Sequence, residues 1–74
     1  EFDGMDNTAA AAKLAAFEHA GVNEADVFGF EIELENERGV SKYEIKFSCG
    51  EYEYEYDIDA LDGSVLNHAK EIDD

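Results

Sequence analysis

Carboxylates at every second position are the residues of this chain whose spacing most invites chemistry. Glu31, Glu33 and Glu35 alternate with apolar residues, and so do Glu51, Glu53, Glu55, Asp57 and Asp59. Lys42, Glu44 and Lys46 alternate in the segment between them. Successive side chains of a β-strand point to opposite faces, so a period of two gathers each set on one face. The pattern predicts a sheet face with nine carboxylates against two lysines, a net of −7. If neighbouring segments pair, both lysines lie on the middle strand between acidic rows, where cross-strand pairing offsets repulsion. Such a face is either a solvated surface that resists edge-to-edge aggregation or one that steers a cationic partner electrostatically. Glu31, Glu33, Glu35, Glu53, Glu55 and Asp57 form the candidate partner surface. General acid–base catalysis needs a pair of carboxyls in a cleft, with their pKa values driven apart. An exposed strand face offers neither, so binding is expected here and catalysis is not.

Four further groups of residues invite chemistry. Tyr43, Tyr52, Tyr54 and Tyr56 fall on the opposite, apolar face, either as packed core with hydroxyls at the rim or as an aromatic cradle for a peptide. Asp57-Ile58-Asp59-Ala60-Leu61-Asp62-Gly63 resembles a calcium loop in composition. An EF-hand requires acids at positions 1, 3 and 5 and Gly at 6, whereas here the third acid is at 6, Gly at 7 and His68 at 12. The segment reads as a turn built on Asp62-Gly63. His19 and His68 have no Cys or His at zinc-finger spacing and read as surface or boundary residues. Cys49, the sole cysteine, reads as an apolar strand residue. No cofactor is expected.

The elements that must position these residues follow from periodicity. Residues 8 to 20 are Ala-rich, with Asn7 or Thr8 available as the cap and Gly21 suited to the left-handed position past the end. Ala10, Leu14, Phe17 and Ala20 are predicted to form the apolar stripe of this helix. Asn23 to Asp26 predicts a one-turn connector with its own cap. From Val27 onward the period changes to two: Phe28, Phe30, Ile32 and Leu34 are apolar, then Tyr43, Ile45, Phe47 and Cys49, then Tyr52, Tyr54, Tyr56, Ile58 and Ala60. Asn36 to Gly39 and Gly50-Glu51 mark the turns between them. This is an antiparallel meander of three strands, with Ser64 to Ala69 as a short fourth strand or a loop. A single N-terminal helix laid on this three- to four-stranded sheet is an α+β, two-layer fold.

Several of these pieces resemble the PepSY domain family. Ala20-Gly21-Val22 closing an Ala-rich helix is similar to the helix ending of that family. So are the strand Tyr43-Glu44-Ile45-Lys46-Phe47 and the segment Glu53-Tyr54-Glu55-Tyr56-Asp57-Ile58-Asp59-Ala60. The most specific piece, Ile58-Asp59-Ala60-Leu61-Asp62-Gly63-Ser64-Val65-Leu66, resembles the I-D-A-x-T/D-G-x-V/I-L signature. The resemblance runs from about residue 8 to residue 69. It implies a helix packed on an antiparallel sheet in a bacterial protein that is secreted or held in the cell envelope. It also implies a role as an inhibitor or regulator of a peptidase, with no catalytic motif. Tyr54, Tyr56, Ile58, Asp59, Ala60 and Gly63 would be the structural members of the signature, with Asp59 and Gly63 shaping a turn and Tyr54, Tyr56 and Ile58 filling the core.

Composition sets the outer bounds. The chain has 74 residues, 20 acidic against 5 basic, for a net charge of −15, which excludes nucleic acid and anionic membrane as natural partners. At 45% hydrophobic it has too much apolar material for a solvated acidic tail. No apolar run approaches the roughly 18 residues of a membrane span, so no membrane insertion is expected. Glu1-Phe2 opens the chain without Met, which suggests a fragment whose residues 1–6 are a leader or tag. The domain is expected over residues 7–69, with 70–74 as a frayed acidic tail. The expected function is a non-catalytic binding module whose partner is a protein, a peptidase or a second copy in a homodimer. The alternatives are an electrostatic module for cations or a basic partner, and a structural unit of a tandem array.

Overall fold

The computed structural model describes residues 9–72. The expected cap at Asn7 or Thr8 and the leader 1–6 therefore lie outside the described residues. Helix α1 runs Ala9–Ala20 and ends as its sequence requires. Gly21 takes φ 73°, and the amides of Gly21 and Val22 both donate to the Phe17 carbonyl, at 2.9 and 3.1 Å. A single 3₁₀ turn, Glu24–Asp26, follows, capped by the Asn23 side chain accepting from the Ala25 amide at 3.0 Å. Lys13 Nζ pairs with Glu24 at 2.8 Å and ties the helix to this connector.

Four strands then complete the chain: β1 Val27–Glu37, β2 Val40–Cys49, β3 Tyr52–Asp59 and β4 Val65–Ile72. They form one antiparallel sheet in the order β1-β2-β3-β4. Arg38 and Gly39 link β1 to β2 with φ of 53° and 80°, the two positive values that a tight hairpin turn demands. The fold is thus α+β, a helix on a four-stranded meander.

The helix lies over the two central strands. Ala12, Ala16 and Phe17 from α1 are buried against Ile45 and Phe47 of β2 and Tyr54, Tyr56 and Ile58 of β3. Phe17 meets Phe47 edge-on at 5.0 Å, and Phe47 stacks on its register partner Tyr54 at 5.1 Å. Small alanines at 12 and 16 let the helix backbone approach the aromatic floor. Here the expected stripe is corrected. Ala10 and Leu14 are exposed, Leu14 by 52%, and the packed line runs through Ala12, Ala16 and Phe17. In an Ala-rich helix nearly every stripe is apolar, so the phase is set by Phe17 and the sheet below it.

Two strands also depart from expectation. In β1 the register slips between Phe28 and Glu31, where Gly29 takes φ 65°. This bulge flips the parity of the strand, placing Phe28 beside Ser48 on the acidic face, 58% exposed. Phe30 and Ile32 keep their inward place. Strand β4 is longer than the expected Ser64–Ala69: Lys70, Glu71 and Ile72 pair with Tyr54, Glu53 and Tyr52 rather than fraying.

Candidate functional site

The alternation of β1, β2 and β3 assembles the acidic face as a register, not merely as a composition. Lys46 stands between Glu31 and Glu55, Glu44 between Glu33 and Asp57, and Lys42 between Glu35 and Asp59. Glu53 pairs with Ser48 on one side and with Glu71 of β4 on the other, so β4 adds a further acid. All six residues of the candidate partner surface share this face, and Glu31, Glu33, Glu44, Lys46, Glu55 and Asp57 rim a shallow hollow in its middle. Among the described residues no charged side chain is buried.

The electrostatics are uneven across this face. Lys42 Nζ reaches Asp57 at 3.5 Å and Glu44 at 3.8 Å. The Asp57 carboxylate holds the Lys42 ammonium above its ordinary value. On the β1 side, carboxylate oxygens of Glu33, Glu35 and Glu44 all lie within 4.8 Å of one another. There the Glu44 carboxylate pushes the Glu35 carboxyl up, against the opposing pull of Lys42. A group of like charges this close is relieved by a cation or a proton.

The signature segment forms the corner between β3 and β4. Asp59 Oδ1 accepts from the amides of Leu61 at 2.7 Å and Asp62 at 3.2 Å. Its backbone closes the corner by donating to the Ser64 carbonyl at 2.8 Å and accepting from Gly63 at 3.0 Å. Asp62 Oδ1 in turn accepts from the Ser64 amide and hydroxyl, at 2.9 and 2.7 Å, and these bonds draw the Asp62 carboxyl below its ordinary value. Gly63 sits at φ 79°. Both carboxylates are thus turned onto their own backbone, as a turn uses them. Tyr54, Tyr56 and Ile58 lie in the core, and Ala60 is half-buried beside it.

The apolar face is only partly covered. Beyond α1, toward the β1–β2 hairpin, Leu34, Tyr43, Ala60 and Leu61 line a shallow hollow together with Ser41 and Asp59. Leu34 and Leu61 are 62% and 65% exposed there. At the opposite end Tyr52 is 39% exposed, with Lys70 Nζ 4.2 Å above its ring. Among the described residues, β1 and β4 are the edge strands of the sheet.

The two histidines, which have no motif spacing, are brought together. His19 on the last turn of α1 and His68 on β4 have ring centroids 4.7 Å apart. His19 Nδ1 lies 2.9 Å from the Tyr56 hydroxyl, and His68 stacks beside the same ring at 5.8 Å. The signal in sequence was the inward phase of β4: His68, Lys70 and Ile72 fall at every second position, opposite Tyr56, Tyr54 and Tyr52.

Over 60 residues the chain is 38% identical to an uncharacterized protein, Spy1430, of Streptococcus pyogenes serotype M6. That stretch covers 81% of this chain but 46% of the streptococcal protein, so the chain spans under half the length of the relative. No family model matches the chain. No solved structure matches it.

Proposed function

We propose that this chain is a non-catalytic binding module of the PepSY type that restrains a peptidase in the extracellular or cell-envelope space. The observation that carries the reading is the hollow at Leu34, Tyr43, Ala60 and Leu61, left open by α1 beside β1, which is an edge strand among the described residues. An extended segment of a partner would add to that edge through backbone hydrogen bonds and seat alternate side chains in the hollow. The helix-on-sheet arrangement and the corner formed by Asp59 and Gly63 agree with the resemblance on which the peptidase role rests. The absence of buried charged groups among the described residues also favours binding over catalysis.

The test is inhibition of a panel of thermolysin-like metallopeptidases acting on a small peptide substrate. The module is expected to inhibit at least one of them at stoichiometric ratio, and Leu34→Glu with Leu61→Glu is expected to abolish the effect. No inhibition across the panel, together with no complex on gel filtration, would reject the peptidase role.

A second reading is favoured by the Glu33, Glu35 and Glu44 carboxylates, mutually within 4.8 Å. The acidic face would then collect cations or a basic partner, with affinity falling as salt rises. Saturable calcium-induced amide shifts confined to these three residues would support it. Weak shifts scattered over all strands would leave only a diffuse ion atmosphere.

A further inference from the structure

The most specific constellation outside the acidic face joins α1 to the edge strand β4. Both imidazoles are solvent-exposed, yet both are held by one buried residue. Tyr56 is 4% exposed, its hydroxyl lies 2.9 Å from His19 Nδ1, and its ring stacks on His68, its register partner in β4. With the proton on Nδ1, His19 donates to the Tyr56 oxygen and keeps an unprotonated Nε2. That is the arrangement of a metal-binding histidine, whose second nitrogen donates to a fixed acceptor that sets its tautomer and ring orientation.

We propose that His19 and His68 form a two-imidazole site for a divalent ion of the zinc, nickel and copper(II) group, which clamps α1 to β4. Two imidazoles bound head-on to one tetrahedral ion, at metal–nitrogen distances near 2 Å, place their ring centroids about 5 Å apart. The observed separation is 4.7 Å, between two exposed rings. Imidazole donors select this group of ions, whereas the carboxylates of the opposite face suit calcium and magnesium. Water would fill the remaining coordination positions. The ion would also stand by the C-terminal end of α1, where the helix dipole favours positive charge. The net charge of −15 raises the local concentration of any divalent cation. Lys70, two residues beyond His68, does not occupy the site, since its ammonium leans over the Tyr52 ring.

The experiment is calorimetric titration of the intact chain with zinc, in excess calcium to occupy the acidic face. One zinc per chain is expected, with a rise in the thermal unfolding midpoint. His19→Ala and His68→Ala, both at exposed positions, should each weaken zinc binding at least tenfold and remove the rise, on the scale of lost ligand support. Tyr56→Phe should weaken binding by about tenfold while leaving both ligands in place. Glu35→Gln and Glu44→Gln should leave the zinc affinity measured in calcium, and the zinc-induced rise, unchanged. Zinc binding that survives both histidine variants, that disappears with the glutamates instead, that needs two chains per ion, or that is absent from the wild type would overturn the proposal.

Discussion

Strands β2 and β3 present two faces built from the same backbone and held by different physics. Toward α1 they offer Ile45, Phe47, Tyr54, Tyr56 and Ile58, all buried and mutually packed, so contact is short-ranged and depends on shape. Toward solvent they offer Lys42, Glu44, Lys46, Glu53, Glu55, Asp57 and Asp59, where water screens each charge and sign matters more than fit. The inner face should therefore respond to lost volume and ignore salt. The outer face should do the reverse. A chain with this much net charge folds because most apolar residues of its two central strands are sorted to one side.

The largest expected effect tests that division with one residue type. Phe47 is 1% exposed and stacked on Tyr54, whereas Phe28 is 58% exposed on the acidic face. Phe47→Ala should cost about 3–5 kcal/mol, a large share of what so small a domain has. Phe28→Ala should stay within about 0.5 kcal/mol. Urea midpoints read both, and equal losses would erase the distinction between the faces.

The bulge that separates these phenylalanines comes next. Gly29 holds φ 65° with nothing near the position a Cβ would take. Gly29→Ala should therefore cost only its backbone strain, about 1–2 kcal/mol by the same urea measurement. A neutral result would mean that the bulge relaxes readily and that Phe28 has access to the inner face. The corner is expected to be weaker still. Asp59→Ala removes the acceptor of two exposed amides, worth about 1 kcal/mol, and should quicken amide exchange at Leu61 and Asp62 before it affects the core.

These particular residues also show what sequence could reveal. Strict alternation in β2 and β3 placed every residue from Lys42 to Cys49 and from Tyr52 to Asp59 on its observed face, because central strands paired on both sides have no freedom to slip. The glycines and the Asp62-Gly63 pair marked the turns, since positive φ is a local demand. Phe28 departs from the expected face because a period of two assumes an unbroken ladder, and Gly29 within a strand is the sequence sign of the bulge. The phase of α1 was hidden by its alanines. Strand β4 is faint in the sequence because it points His68 and Lys70 inward, where both lie over tyrosines: polar residues on an edge strand guard against unwanted pairing, so they do not count against a strand. The histidine pair depends on that register and on the helix end together, and only its β4 half has a signal in the sequence.

The smallest effects are those of single charges on the outer face, and pH gives their sign. Glu35 has its carboxyl raised above the ordinary 4.5 by the Glu44 carboxylate, so the native state holds this proton more tightly than the unfolded chain. Its contribution is favourable below about pH 4.5 and is lost as pH rises through the raised value. Asp62 runs the other way. The Ser64 hydroxyl and amide lower it below the ordinary 3.8, so its contribution is present above that value and lost as pH falls through the lowered one. The amides in Glu35→Gln and Asp62→Asn copy the protonated forms. At about pH 7, Glu35→Gln should unfold at higher urea than the wild type and Asp62→Asn at lower urea. Near pH 4 the Glu35→Gln advantage should fade, while the Asp62→Asn deficit should persist until the pH is lower still. Added salt should shrink the Glu35→Gln gain, which is repulsion between exposed carboxylates, more than the Asp62→Asn loss, which is a pair of short hydrogen bonds. If both respond to salt alike, the corner belongs with the charged face and not with the scaffold that holds the sheet together.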